Sequence, residues 1–65
     1  MDPTVTYAMQ TPDGAWRVEI VKRGPTQWYR IIHDDSILDW LSIAAVQRIL
    51  TEAGVDIADL DEAAA

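Results

Sequence analysis

From Thr4 to Gln10 the chain alternates, with Val5, Tyr7 and Met9 on one side and Thr6 and Ala8 on the other. That period of two is the mark of a strand with one buried face. Thr11-Pro12-Asp13-Gly14 follows, a turn in which Pro presets the first φ, Asp bonds its own backbone and Gly tolerates positive φ. Ala15 to Lys22 alternates again, Trp16, Val18 and Ile20 opposing Arg17, Glu19 and Val21. A loop centred on Asp13 and Gly14 pairs Tyr7 with Ile20 and Met9 with Val18, which brings both apolar sets to one face.

Arg23-Gly24-Pro25-Thr26 is the next break. Gln27 to His33, rich in aromatic and branched residues, reads as a third strand. Two readings compete beyond it. Ser36 caps one long helix from Ile37 to Ala53 with Asp39 near its start, or Ser36 to Leu41 is a fourth strand and Ser42 caps a shorter helix. Three details favour the strand. A helix from Ile37 to Val46 would be apolar nearly all round. Ser42 as N-cap makes Leu41 and Val46 the two ends of a hydrophobic staple. A two-residue turn at Asp34-Asp35 pairs Tyr29 with Trp40, Ile31 with Leu38 and Arg30 with Asp39, setting an aromatic pair and an opposite-charge pair in one register. Asp-Asp is, however, a poorer hairpin turn than Asn-Gly.

Ile43, Val46, Ile49, Leu50 and Ala53 recur at helical spacing, while Gln47, Arg48, Thr51 and Glu52 face out. Gly54 at C′ and Val55 at C″ fit a Schellman closure onto Leu50. Asp56 caps a last short turn whose Ile57 and Leu60 dock on the core. Residues 1–3 and 61–65 are expected to fray. The predicted architecture is a single α+β domain over 1–65, an antiparallel β-meander of three to four strands followed by one α-helix and a short C-terminal helical turn.

Composition sharpens this. The chain has 65 residues and no cysteine, so it has no disulfide framework, thiolate zinc site or thiol nucleophile. A chain this short buries only ~60% of its unfolded surface, and a partner would help it. Eleven acids oppose five bases for a net charge of −6, and the charge is uneven. Residues 1–33 set Arg17, Lys22, Arg23 and Arg30 against Asp2, Asp13 and Glu19, one positive charge in excess. Residues 34–65 set Arg48 alone against Asp34, Asp35, Asp39, Glu52, Asp56, Asp59, Asp61 and Glu62, seven negative in excess. Such asymmetry marks a surface for a basic protein partner, although the same acids also keep a small protein soluble. The longest apolar stretch falls far short of a membrane span and no basic segment precedes a greasy core, so a soluble cytoplasmic domain without membrane contact is expected.

Chemistry is sparse. His33-Asp34-Asp35 is the one cluster with catalytic or ligand character, yet successive strand residues point to opposite faces and the turn reads as a solvated hairpin tip. Ser36 beside it has no orienting pocket, and Ser42 is claimed by capping. Gly14, Gly24 and Gly54 are isolated, so no phosphate cradle opens a helix. No catalytic residue, metal or cofactor is expected, and the chain is not read as an enzyme. Arg17, Lys22, Arg23, Trp28 and Arg30 form a basic and aromatic set suited to single-stranded nucleic acid, with Arg17, Trp28 and Arg30 on one sheet face. The order of strands then helix resembles the layout of a family of transcriptional coactivators built as four strands plus a helix. The likeness covers architecture alone and carries over no site residue. The net negative charge argues against nucleic acid as a partner.

The stronger signal is apolar. In the register above, Trp28, Ile32, Ile37 and Leu41 lie opposite Tyr29, Ile31, Leu38 and Trp40, and one helix covers only one face. The other face then shows a greasy patch flanked by Arg30 and Asp39, which is the composition of an interface. The expected function is a non-enzymatic protein–protein interaction module, a homodimer through this face, acting as an acidic adaptor or regulator, with a nucleic-acid-binding protein as one kind of partner. The competing reading is single-stranded nucleic-acid binding through the basic set.

Overall fold

The computed structural model describes residues 2–64; the fraying expected of residues 1 and 65 lies outside them. Five strands, β1 (Thr4–Gln10), β2 (Trp16–Arg23), β3 (Thr26–His33), β4 (Ser36–Leu41) and β5 (Asp61–Ala63), form one antiparallel sheet in the order β4-β3-β2-β1-β5. Helix α1 (Ile43–Glu52) and a 3-10 turn at Ile57–Asp59 lie between β4 and β5. The fold is α+β with a β-meander, as the patterning predicts, and it has one strand more than expected. No helix among the described residues is long and apolar enough to cross a membrane.

The first hairpin follows from its turn. Asp13 Oδ1 accepts from the Thr11 hydroxyl (2.6 Å) and the Ala15 N–H (3.0 Å), while Gly14 takes φ +74° and donates its N–H to the Thr11 carbonyl. The Thr11 hydroxyl, with the Ala15 amide behind it, holds the Asp13 carboxyl below its ordinary value of 3.8. Tyr7 faces Ile20 and Met9 faces Val18, the expected register. A bulge between Val5 and Tyr7 breaks the ladder beyond that point.

The second hairpin holds the expected register only part way. Asp34 takes φ +51° in the turn, a conformation Asp tolerates better than most residues. Ile31 faces Leu38 and Ile32 faces Ile37, but Tyr29 then faces Leu41 rather than Trp40. A bulge between these pairs inserts one extra β4 residue, and Trp40 sits at φ +59°. The slip exchanges the two faces for the rest of the strand. Leu41, expected on the outer face, therefore packs toward the helix, and Trp40 turns outward.

The hydrocarbon core is Val18, Ile31, Val46 and Leu50, with Met9, Trp16, Tyr29, Leu41, Ile49, Val55 and Leu60 against it. Ser42 caps α1 by accepting from the Ala45 N–H at 3.1 Å, worth about 1 kcal/mol. At the other end the Val55 N–H donates to the Leu50 carbonyl and the Gly54 N–H to Thr51, with Gly54 at φ +77°, a complete Schellman closure. Asp56 caps the 3-10 turn through the Ala58 N–H at 2.9 Å. The segment from Asp61, expected to fray, corrects to β5: Asp61 faces Gln10, Glu62 faces Met9 and Ala63 faces Ala8. Docking of Leu60 lays these residues along the open edge of β1. Position does what their weak strand propensity would not.

Candidate interaction surface

Arg17, Glu19 and Val21 alternate away from Trp16, Val18 and Ile20, so they share the sheet face opposite α1. Cross-strand pairing adds Trp28 beside Val21, Arg30 beside Glu19 and Ile32 beside Arg17. Among the described residues no second layer covers this outer face, yet Ala8, Val21, Trp28 and Glu19 are all buried. Two devices cover them.

The first is a chain of charges lying flat on the sheet. Arg17 Nε donates to Glu19 Oε2 at 2.9 Å, Arg30 Nη1 to Glu19 Oε1 at 3.2 Å, and Arg30 Nη2 to Asp39 Oδ2 at 3.2 Å. Arg17 also donates to the Gln10 side chain and to the Ala64 carbonyl, tying β5 down. The bond to Asp39 raises the Arg30 pKa. Burial pushes the Asp39 carboxyl up, but the Trp40 N–H, Arg30 and the Trp28 indole N–H outweigh it and hold the group below its ordinary 3.8. Arg30 Nε is buried without a hydrogen-bond partner among the described residues.

The second device is aromatic. Trp28 and Trp40 stack with ring centroids 3.9 Å apart, and the Arg23 guanidinium lies 5.8 and 5.7 Å from their centroids. Trp28 Nε1 donates to Asp39 Oδ1 at 2.6 Å. The bulge makes this stack: it turns Trp40 onto Trp28 and frees Leu41 for the core. The same carboxylate accepts the Trp40 N–H at 2.9 Å, fixing the bulge.

Of the six residues expected to form an interface, Trp28, Arg30, Ile32, Ile37 and Asp39 do share the outer face, and Leu41 does not. Trp28 is itself only 5% exposed, because Trp40 covers it. The exposed apolar surface concentrates instead on β4, where Ile37 is 63%, Trp40 60% and Leu38 43% exposed. Strand β4 is also an edge of the sheet, paired on one side only. Trp40 was missed because a bulge leaves no trace in alternation. The signal was Asp39, the one carboxylate in an apolar run.

The basic and aromatic set is divided. Arg17, Trp28 and Arg30 share the outer face, but both arginines are bound to carboxylates and the Trp28 ring is covered. Lys22 and Arg23 are exposed and form no ion pair among the described residues. His33 stacks on Trp16 at 3.8 Å, its Nδ1 lies 2.9 Å from the Ala15 carbonyl oxygen and its Nε2 3.3 Å from Asp34. It ties the two turns together, with Ser36 as its cross-strand partner. The β2–β3 register, set by the Gly24-Pro25 turn, places Trp16 opposite His33.

Charge is sorted by end as well as by sequence half. The registers bring the Asp13 turn, the Asp34-Asp35 turn and Asp61 to one end of the sheet. A crevice of about 430 Å³ there brings Asp56 and Asp59 against Thr11, Pro12 and Asp13. The opposite end holds Lys22 and Arg23, with Asp2 beside Lys22. Helix α1 runs from the basic end to the acidic end with no acid in its first turn and no base in its last, so its dipole adds to the separation instead of opposing it.

The chain matches no protein-family model, no curated protein and no solved structure. What the fold and this surface define is a class: a small α+β domain with an uncovered sheet face and a greasy free edge.

Proposed function

We propose that the protein is a non-enzymatic protein–protein interaction module that docks through the free edge of β4. One observation carries this reading: Ile37, Leu38 and Trp40, all large and apolar, are exposed together on a strand whose outer edge is unpaired. Isolated exposed hydrophobics are ordinary, but three on one edge strand form a template for another chain. The rest of the acidic end, Asp13, Asp56, Asp59 and Asp61, lies away from this edge and gives an adaptor or regulator its handle for a basic partner, such as a nucleic-acid-binding protein.

A photo-crosslinking amino acid at position 37, with position 48 on the outer helix face as control, tests this in the cells that make the protein. Discrete protein adducts at 37 and none at 48 are expected. Equal, diffuse labelling at both would overturn the reading. The competing function, single-stranded nucleic-acid binding, is favoured by Arg23 lying over the two tryptophans, and weakened because Arg17 and Arg30 are already neutralised. Titration of labelled single-stranded DNA separates the two. Binding at low salt that collapses as salt rises would replace the interaction module with a nucleic-acid binder.

A further inference from the structure

We infer that the occupant of the β4 edge is β4 of a second copy of this chain, paired antiparallel about a two-fold axis near Ile37. The inference rests on the edge-docking reading above and names its partner. The bulge at Asp39 and Trp40 leaves Ser36–Leu38 as the regular part of the edge, and a bulge ends regular pairing. Self-pairing over that run sets Ser36 opposite Leu38 and Ile37 opposite itself. Just beyond that run, the Asp34-Asp35 turn of each copy comes beside the bulged end of the other, where Arg23 lies over the Trp40 ring.

Charge then selects both the partner and the direction. Each copy has Asp34 and Asp35 at one end of β4, while toward the other end Arg23 of β2 reaches over the Trp40 ring, with Lys22 next to it in the chain. Antiparallel pairing places the acidic end of each copy beside the basic end of the next, twice over by symmetry. The start of α1, whose first turn contains no acid, lies at that same basic end. Parallel pairing would set acidic end against acidic end. Asp39, the carboxylate nearest the incoming Asp35, is already neutralised by Arg30 at 3.2 Å. A chain that carries both halves of the complementarity at the two ends of one edge strand is its own best match.

Sedimentation equilibrium of the purified full chain, from micromolar to millimolar, tests the inference. The wild type is expected to dimerise. Ile37→Lys, at a 63% exposed position, should leave the circular dichroism unchanged and weaken the dimer at least tenfold. Two charge variants probe the direction: Lys22→Glu with Arg23→Glu, and Asp34→Asn with Asp35→Lys. The second uses Asn because position 34 needs positive φ. Each alone should weaken self-association about tenfold, and an equimolar mixture of the two should recover it as a heterodimer. A wild type that stays monomeric at every concentration overturns the second copy as occupant. If position 37 then still crosslinks to a different protein, the interaction reading survives without the dimer; without that adduct both fall. A dimer indifferent to both charge variants overturns the antiparallel register.

Discussion

On one face of the sheet, hydrocarbon meets hydrocarbon: Val18 and Ile31 lie under Val46 and Leu50, all at most 1% exposed. On the other face there is no second layer, and Val21, Ala8 and Trp28 are kept dry by a tryptophan and a string of ion pairs. The two faces are built from the same strands at alternating positions. The difference teaches how a 65-residue chain with a single helix handles a two-sided sheet. Arginine stems and an indole ring do the covering while their polar ends stay partly wet.

The helix face is the place to break the fold. Ile31→Ala removes a fully buried side chain from between α1 and the sheet, where the rigid helix collapses poorly into the space. A loss of about 3–4 kcal/mol is expected, measured as a fall in the denaturant midpoint at unchanged slope. The same experiment on the outer face gives a smaller number. Glu19→Gln keeps the shape but removes the charge that Arg17 and Arg30 share. Breaking a buried pair from one side is costly, but both arginines are about a quarter exposed, and water screens what remains. About 2 kcal/mol is expected. A loss exceeding that of Ile31→Ala would mean that the charge chain, and not the hydrocarbon, holds the sheet flat.

Acid separates the faces without touching the core. Asp39 has a folded-state pKa below its ordinary 3.8, since its donors outweigh the effect of burial. A lowered folded pKa contributes stability that is full above the unfolded value and is lost as pH falls through the folded one. Stability should therefore drop as pH falls below about 4. Asp39→Asn should start lower at neutral pH and show a shallower fall across that window. Asp13, lowered by the Thr11 hydroxyl and the Ala15 amide, adds a further acid-sensitive part that this substitution leaves in place. Parallel pH curves for wild type and Asp39→Asn would remove Asp39 from the outer-face network.

How much of this was legible in the sequence follows the same division. The helix face could be read because its determinants are periodic or local: alternation through β2 and from Tyr7 to Gln10 in β1, Ser42 at the N-cap, Gly54 and Val55 at the Schellman closure. The bulge before Tyr7, however, turns Val5 to the outer face beside Val21. The outer face could be read only as far as the bulge. Residues Ile31, Ile32, Ile37 and Leu38 fell into register from the turn outward, and beyond them one inserted residue moved Leu41 inward and Trp40 outward. Strand β5 was illegible for another reason. Asp61-Glu62-Ala63 has no strand pattern, and its pairing depends on where Leu60 has already docked. Of the residues expected at the interface, Trp28, Arg30, Ile32, Ile37 and Asp39 lie on the expected face, Leu41 lies on the other, and Trp40 rather than Trp28 is the exposed aromatic.

Trp40 itself gives the smallest effect and the sharpest test of that bulge. At φ +59° a bulky side chain pays a local conformational cost, which the stack on Trp28 and the Asp39 hydrogen bond offset. Trp40→Ala keeps a Cβ in the left-handed region and loses the stack. Trp40→Gly loses the same stack but relieves the backbone. In an ordinary strand Ala is the better replacement, since Gly loses more freedom on folding. Here the order should reverse, with Trp40→Gly more stable than Trp40→Ala by about 1 kcal/mol. Both should expose Trp28 and shift its fluorescence to the red. If Ala proves the better replacement, the positive φ is not a property of the site. The register would then revert to Tyr29 opposite Trp40, which would turn Trp40 to the helix face and leave Trp28 as the exposed aromatic of the outer face.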